Sequence, residues 1–371
     1  MRYTARHPYL LIAITLAVAG TCLLPGDPLR SVTKPHTEPL VCGNSTPAQE
    51  ALASPSSARA PRTVYEVEYE QAWELVGRYF LYRERLGAWD LWKHHYDGRL
   101  TSEEATQAAI HDMVSSLRDD YTYYRDTDAT TERRQEEDAH DVVASKMLPG
   151  NIGYLHLSMF NSKDCVDEAT EALQQLSTAR SYIIDLRGNK GGAINNAYHF
   201  FALLMPKGQF VHMDGLPDGK REIEDLSLNA NCAVTKKCGT IASSYREPNL
   251  TGSKPMIVLV DGTTKSAAEM VAGSLRDNDR ALLVGTRTFG KGVIQRVWEF
   301  DDGTSIKITA ARYFLPSGEN PHGVGLKPNI LVANKRAHDD SQLQAAILLL
   351  SNPARMAATA KKHGGIRSRF S

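Results

Sequence analysis

The sequence predicts an α/β fold built on a parallel sheet and preceded by a helical region. Short apolar runs such as 182–186 and 258–260 alternate with helical patterns from residue 152 to residue 285. This alternation is typical of parallel strands that are joined by crossover helices. An apolar content of 42% in 371 residues provides a sizeable core for one large or two modest domains.

The first 24 residues have the layout of an export signal. Arg2 and Arg6 precede an uncharged run over residues 9–24, and small residues at 17–19 offer a cleavage site. The run is short of the ~20 residues that a membrane-spanning helix needs, so a signal peptide is favoured over a retained membrane anchor. We therefore expect an exported protein of the periplasm or cell envelope.

The expected export affects how the linker and the cysteines are interpreted. Residues 25–63 are rich in Pro, Ser, Thr and Ala and lack apolar periodicity, which predicts a disordered linker. Cys22 offers a lipoprotein site, but Thr21 directly before it fits lipoprotein processing poorly. Cys232 and Cys238 either form a disulfide across a short loop or remain two thiols. No second Cys or His pair has ligand-like spacing, so we expect no metal and no cofactor.

The charge of the chain favours no polyanionic partner. Its 43 basic and 43 acidic residues give a formal net charge of zero. We therefore expect no nucleic-acid partner, and membrane contact only through the N-terminal segment. The formation of a homo-oligomer is left open.

Residues 64–126 are predicted to form an N-terminal helical subdomain. Residues 64–82 have a broad apolar face, a short helix begins at Trp89, and a capping box at 101–104 opens a third helix. The polar stretch 127–141 is predicted to be a solvated loop or a loose helix.

Residues 150–335 are predicted to form the α/β core, and residues 336–371 a C-terminal helix and tail. Period-two alternation predicts a strand over 153–160, and the glycine-rich loop 187–192 follows the strand at 182–186. A polar insertion is predicted over 208–253, with a hairpin near Asp218 and Gly219. The remaining predicted elements are a helix over 165–176, a helix ending at Met205, a hairpin turn at 301–304 and a helix over 342–350.

Ser266 stands where a strand, a tight loop and a helix succeed one another. With Glu269 it satisfies the capping-box template, so it could act only as a helix cap. The same position suits a nucleophile, because the unpaired N–H groups at a helix N-terminus would face a tetrahedral oxyanion. A serine hydroxyl is a weak nucleophile, so this interpretation requires a base.

Lys291 is the candidate base, since burial favours the neutral amine that can accept a proton. It lies in a glycine-flanked loop, with apolar neighbours that include Phe289, and a surface lysine in a turn is the alternative. Gln295 could orient the amine if the chain bends at Gly292. A phosphate-binding loop is disfavoured, because Gly292 replaces the Ser or Thr of that motif and a strand follows.

Several segments, in order, resemble the C-terminal-processing, or tail-specific, serine peptidases. That family carries a Ser–Lys dyad on a crotonase-like (Clp-protease-like) α/β core. The segment TKSAAEMVAG at 264–273 resembles its nucleophile segment, and TFGKG at 288–292 resembles its base segment. Further matching segments are 117–122, 153–157, 185–192 and 311–318, and the resemblance covers residues 64–330.

The resemblance implies roles by position. Ser266 is the implied nucleophile, Lys291 the general base and Gln295 its support. The implied oxyanion donors are the N–H of Ala267 and one N–H from Gly191 or Gly192. Asp277 is implied to be structural, paired with Arg276 or Arg280.

Two features depart from the family pattern. The family usually carries a PDZ module where this chain has only residues 125–151, which are too few for one. Lys265 occupies a position that is usually held by a small residue. Its amine either faces solvent or points inward and lowers the pKa of Lys291 through like charge.

The sequence thus predicts a serine endopeptidase that cleaves polypeptides through an acyl-enzyme. The alternative is a catalytically silent member of the same fold that binds a peptide or another ligand.

Overall fold

The computed structural model describes residues 63–138, 143–162, 164–216, 219–228, 249–334 and 340–352, with residues 354 and 356. The predicted leader, the linker up to residue 62, Cys232 and Cys238, and nearly all of the C-terminal tail lie outside the described residues. Asp218 of the predicted hairpin also lies outside them. Among the described residues, no helix is both long and apolar enough to cross a membrane.

The described chain alternates helices and strands through most of its length. Its α-helices are α1 (Val64–Tyr79), α2 (Glu103–Ser115), α3 (Thr127–Asp138), α4 (Cys165–Gln175), α5 (Ile194–Leu204), α6 (Ala267–Asp277) and α7 (Ser341–Leu350). Its strands are β1 (Tyr123–Arg125), β2 (Val143–Leu148), β3 (Ile152–Leu157), β4 (Ser181–Asp185), β5 (Gly208–Gly215), β6 (Glu222–Leu228), β7 (Met256–Val260), β8 (Leu282–Gly285), β9 (Val293–Glu299), β10 (Ser305–Phe314) and β11 (Ile330–Leu331). Short 3₁₀ segments cover Arg83–Arg85 and Trp89–His94.

A six-stranded sheet carries the predicted parallel core. Its strand order is β11-β8-β7-β4-β3-β2, and the pairs from β11 to β3 are parallel, whereas β2 and β3 are antiparallel. Alternate side chains enter two separate clusters: Ile184 and Val258 pack with α4, α5 and α6, whereas Ile183 and Ile257 pack with α7. The central strands β4, β7 and β8 are buried along their whole length, which explains their largely apolar sequences. The predicted α/β core is confirmed.

A second, antiparallel sheet contains both predicted hairpins. Its strands run in the order β1-β10-β5-β6, and β9 also pairs with β10. The β9–β10 hairpin confirms the turn predicted at 301–304. Residues 208–253 were predicted to be a polar insertion with a hairpin near Asp218 and Gly219. The antiparallel pairing of β5 with β6 on either side of that turn confirms the hairpin and makes it part of this sheet. The charged and partly exposed residues of β6 conceal the period-two pattern that identifies a strand.

The N-terminal helices pack against this second sheet. Phe80, Met113 and Leu117 share one buried cluster with Ile306 and Ile308 of β10. The same packing brings the segment after α2 beside β10, where β1 pairs with it. The stretch from residue 127 is helical as far as residue 138, the second of the two structures predicted for it.

Candidate active site

Three loops meet at the carboxyl ends of β4, β7 and β8. The N–H of Lys265 donates to the carbonyl of Asn189 at 3.0 Å, and the N–H of Phe289 donates to the carbonyl of Thr264 at 3.0 Å. The glycine-rich loop, the serine loop and the lysine loop are therefore joined through their backbones. Ligand sites in open α/β sheets lie at this end of the strands.

Ser266 is the N-cap of α6 in an unusual backbone conformation. Its φ of 58° and ψ of −123° differ from the extended conformation of an ordinary N-cap. A non-glycine residue in such a region carries about 1–3 kcal/mol of strain, and strain of this kind clusters at functional sites. Helix capping alone therefore does not account for Ser266. Gly191 packs against it, since a Cβ on Gly191 would lie 2.9 Å from the Cβ of Ser266.

Glu269 connects the serine loop to the lysine loop. Its side chain is fully buried. One carboxylate oxygen accepts from the N–H of Ser266 at 2.9 Å and from the N–H of Lys291 at 2.8 Å. The other oxygen accepts from the N–H of Gly290 at 2.8 Å and from the hydroxyl of Thr288. Burial raises the pKa of Glu269, while these four hydrogen bonds oppose the rise.

The shared oxygen limits the distance between the backbone amide nitrogens of Ser266 and Lys291. Because both amide nitrogens are within hydrogen-bond distance of one atom, they are no more than about 6 Å apart. The structure therefore brings the two predicted residues together. No hydrogen bond joins Ser266 Oγ directly to Lys291 Nζ in the described part of the chain. Catalytic hydrogen bonds are often long without substrate and shorten in the complex.

The side chain of Lys291 is partly buried. Burial is the main cause that lowers its pKa to about 8, followed by the like charges of Lys307 and Lys265, whereas Glu269 acts in the opposite direction. About half of the Lys291 amines would therefore be neutral at pH 8. The ring of Tyr121 lies beside the amine, with Lys291 Nζ 5.5 Å from the ring centroid.

The structure corrects the prediction for Phe289 and locates Lys265. Phe289 was expected to shield the amine, but its side chain is 50% exposed. The amine of Lys265 lies 5.3 Å from the centroid of that ring and contributes to the low pKa of Lys291. Lys265 is thus near enough to act on the base through like charge, although its amine lies over a half-exposed ring.

Gln295 is not joined to Lys291 by a hydrogen bond in the described structure. It lies on β9, opposite Thr309 of β10. Its Nε2 atom is buried and has no hydrogen-bond partner among the described residues. The predicted support of the base by Gln295 therefore stays a prediction.

The amides that could stabilise an oxyanion differ in their availability. The N–H of Gly191 donates to the side-chain oxygen of Asn189 at 2.8 Å, so it is not free for a ligand. The N–H groups of Gly192 and Ala267 have no acceptor within the described part of the chain. The choice between Gly191 and Gly192 that the sequence left open is thereby narrowed to Gly192.

Asp277 holds the end of α6. Its carboxylate pairs with Arg276 at 2.7 Å and accepts from the N–H of Ser317 at 3.0 Å. Of the two pairings expected for it, the structure contains the one with Arg276. Arg280 instead donates to the carbonyls of Leu204 and Lys254.

Sequence reasoning missed two residues of this site. Glu269 was identified only as the partner in a capping box, although its four donors come from two loops. Tyr121 was identified only as part of the family-like segment 117–122. The regular spacing of the capping box was a signal for Glu269, but no local pattern indicates the contact of Tyr121.

The chain is similar in sequence to known peptidases. Residues 151–332 match the model of peptidase family S41. The chain is 34% identical over 213 residues to the carboxyl-terminal-processing protease of Synechocystis sp., covering 55% of this chain and 45% of that protein. It is 33% identical over 192 residues to the carboxy-terminal processing protease CtpA of Bacillus subtilis, covering 51% and 37%. The chain thus spans less than half of the length of these relatives.

Two solved structures share the fold. The photosystem II D1 C-terminal processing protease superposes with a TM-score of 0.58 at 20% identity, covering 79% of this chain and 99% of that one. A lipoprotein from Streptococcus agalactiae superposes with a TM-score of 0.59 at 15% identity, covering 78% and 97%. The chain therefore has the predicted crotonase-like α/β core with an N-terminal helical region.

Proposed function

Residues 151–332 belong to peptidase family S41, and from this premise we propose that the protein is a serine endopeptidase that cleaves polypeptides. In this proposal Ser266 is the nucleophile and Lys291 is the general base. The observation that carries it is the single carboxylate oxygen of Glu269 that binds the amides of both residues.

Three further properties of the site support the assignment. The strained backbone of Ser266 is typical of nucleophiles on sharp strand-to-helix turns. A pKa of about 8 gives Lys291 a useful neutral fraction near neutral pH, as a general base requires. The unpaired amides of Gly192 and Ala267 suit a developing oxyanion.

Acylation follows from these roles. The neutral amine of Lys291 takes the hydroxyl proton of Ser266, and the Oγ atom bonds to the carbonyl carbon of the substrate. The carbonyl oxygen becomes an oxyanion that accepts from the N–H groups of Ala267 and Gly192. When this tetrahedral intermediate collapses, the C–N bond breaks, and the ammonium of Lys291 returns the proton to the leaving amine.

Deacylation uses the same groups with water as the nucleophile. Lys291 takes a proton from a water molecule, whose oxygen attacks the ester carbon. The ester bond to Ser266 then breaks, and the proton returns to Oγ. The product is a free carboxylate, and no metal or cofactor is required by any step.

The remaining expectations are part of the same proposal. The substrates are polypeptides that enter in extended form, so unfolded proteins are the natural test substrates. We propose an exported, periplasmic or cell-envelope location with membrane contact only through the N-terminal segment, and no nucleic-acid partner. Self-association into a homo-oligomer is compatible with this role.

Turnover of an unfolded protein tests the proposal. We expect Ser266→Ala and Lys291→Ala each to reduce kcat/KM by at least ~10³-fold, because nucleophile and base act as a unit. A serine-directed covalent probe should label the wild-type protein at Ser266 alone. Full turnover by either variant would refute the mechanism. Absence of both turnover and labelling in folded wild-type protein would favour the silent, ligand-binding alternative.

A further inference from the structure

Tyr121 reaches the base from a part of the chain outside the α/β core. It follows α2 and directly precedes Thr122 and β1, whereas Lys291 lies in the loop after β8. Nevertheless, Lys291 Nζ is 5.5 Å from the centroid of the Tyr121 ring. Phe289, the apolar neighbour that the local sequence suggests, is half exposed and cannot supply the same cover.

The segment that carries Tyr121 is anchored to β10, and its ring packs near a second ring. Beside it in sequence, Thr122 accepts from the N–H of Thr309 at 2.9 Å, and Asp119 accepts from the hydroxyl of Thr309 at 2.7 Å. In addition, the centroid of the His322 imidazole lies 5.8 Å from the centroid of the Tyr121 ring.

His322 is itself tied to the lysine loop. The next residue, Gly323, donates its N–H to the carbonyl of Gly290 at 2.9 Å. A Cβ on Gly292 would lie 2.8 Å from the Cβ of His322, so the two segments are in close contact. Tyr121 therefore lies beside both the base and a segment that is bound to the lysine loop.

We propose that Tyr121 is a positioning residue, through which the N-terminal helical region covers the base and completes the active site. This inference rests on the proposed role of Lys291. It implies that the helical region is required for full catalysis and not only for folding.

The physical argument concerns water at the amine. A protonated amine loses more by leaving water than a neutral one does, so cover by an uncharged ring favours the neutral form. The face of the ring also attracts a cation, which opposes this effect. The other charged groups that act on the amine are Lys307, Lys265 and Glu269, and they are unchanged when only the ring is replaced.

Substitutions at Tyr121 separate these effects. Tyr121→Ala removes the cover, Tyr121→Phe keeps the ring, and Tyr121→Leu keeps apolar cover without a π-face. Tyr96→Ala is the matched control, because Tyr96 also packs in the helical region, against Tyr69, and its hydroxyl donates to Asp112. The readout is the pH midpoint of kcat/KM on an unfolded protein, with thermal unfolding as the check on folding.

We expect the midpoint to lie near pH 8 in the wild type and in Tyr121→Phe. In Tyr121→Ala it should rise by about one unit, with kcat/KM several-fold lower at pH 7. Tyr121→Leu should not raise the midpoint. A midpoint in Tyr121→Ala equal to that of the wild type and of Tyr96→Ala would overturn the inference. So would a rise in Tyr121→Ala that the control Tyr96→Ala shares.

Failure of the dyad itself would be recognised separately. In that case Lys291→Ala would retain the turnover and the pH profile of the wild type. If Lys291→Ala is inactive and the Tyr121 variants titrate like the wild type, only the role of Tyr121 fails.

Discussion

Replacing Glu269 by Gln should uncouple the serine loop from the lysine loop. The carboxylate accepts from three backbone amides, those of Ser266, Gly290 and Lys291, and from the hydroxyl of Thr288. A glutamine has one accepting oxygen and one donating NH₂ group. In either orientation of the side-chain amide, its NH₂ group faces two of the donors that a carboxylate oxygen accepts from in the wild type. The variant is nearly isosteric, so the change is mainly one of hydrogen bonding.

The expected cost follows from the donors that lose their acceptor. At least one buried backbone N–H is left unsatisfied, at about 1–3 kcal/mol, and the remaining bonds lose the strength that the charge gave them. Relief of the buried charge offsets part of this loss, because burial raises the pKa of Glu269. We therefore expect Glu269→Gln to lower the free energy of unfolding by about 2–4 kcal/mol.

The loss of activity should exceed the loss that partial unfolding alone would cause. Displacement of a catalytic group by about 1 Å can cost ~10²-fold, so kcat/KM should fall at least that much in protein that is still folded. The assay pairs urea unfolding with kcat/KM on an unfolded protein substrate. Glu68→Gln is the control, since Glu68 is a partly buried carboxylate that accepts from Tyr124 at 3.0 Å in the helical region. A folded Glu269→Gln variant with wild-type kcat/KM would refute the reasoning.

Two further predictions concern the base and the glycine-rich loop. Because the pKa of Lys291 falls from 10.5 to about 8 on folding, the folded state binds fewer protons than the unfolded state between those pH values. Stability therefore rises with pH across that window, so Lys291→Met should raise the free energy of unfolding at pH 7 by about 1–3 kcal/mol, after allowance for partial solvent access. This gain should decline above pH 8 and vanish only above about pH 10.5 in urea titrations, and a gain that does not change with pH would contradict it. Gly191→Ala should reduce kcat/KM by about 10²-fold or more, since its Cβ would lie 2.8 Å from the carbonyl oxygen of Lys265 and 2.9 Å from Ser266 Cβ. Gly188→Ala is the control, because Gly188 has a φ of 77° and nothing within 4 Å of an added Cβ, and equal activity losses in the two variants would contradict the steric argument.

Local patterns were sufficient to predict the parallel core, and together with the family resemblance they indicated both proposed catalytic residues. Strands such as β4 and β7 are buried on both faces, so they read as continuous apolar runs in any context. Ser266 and Lys291 lie in short segments whose glycines and small residues are dictated by close packing. Gly191, for example, has a φ of 92° and leaves no room for a side chain.

Features that depend on distant contacts were not predictable in the same way. Strand β6 carries Glu222, Glu224 and Asp225 and is largely exposed, so no alternation of apolar residues marks it. The cover over Lys291 comes from Tyr121, which only the packing of the helical region against β10 brings there. Local sequence pointed instead to Phe289, which is half exposed.

The most direct test of the dyad is the pH dependence of acylation at Ser266. The rate of labelling by a serine-directed probe should rise with pH to a midpoint near 8, the pKa of Lys291. In Lys291→Ala the labelling should be at least ~10²-fold slower and lose that midpoint. Labelling at Ser266 with the same rate and pH profile in both proteins would contradict the assignment of Lys291 as the base.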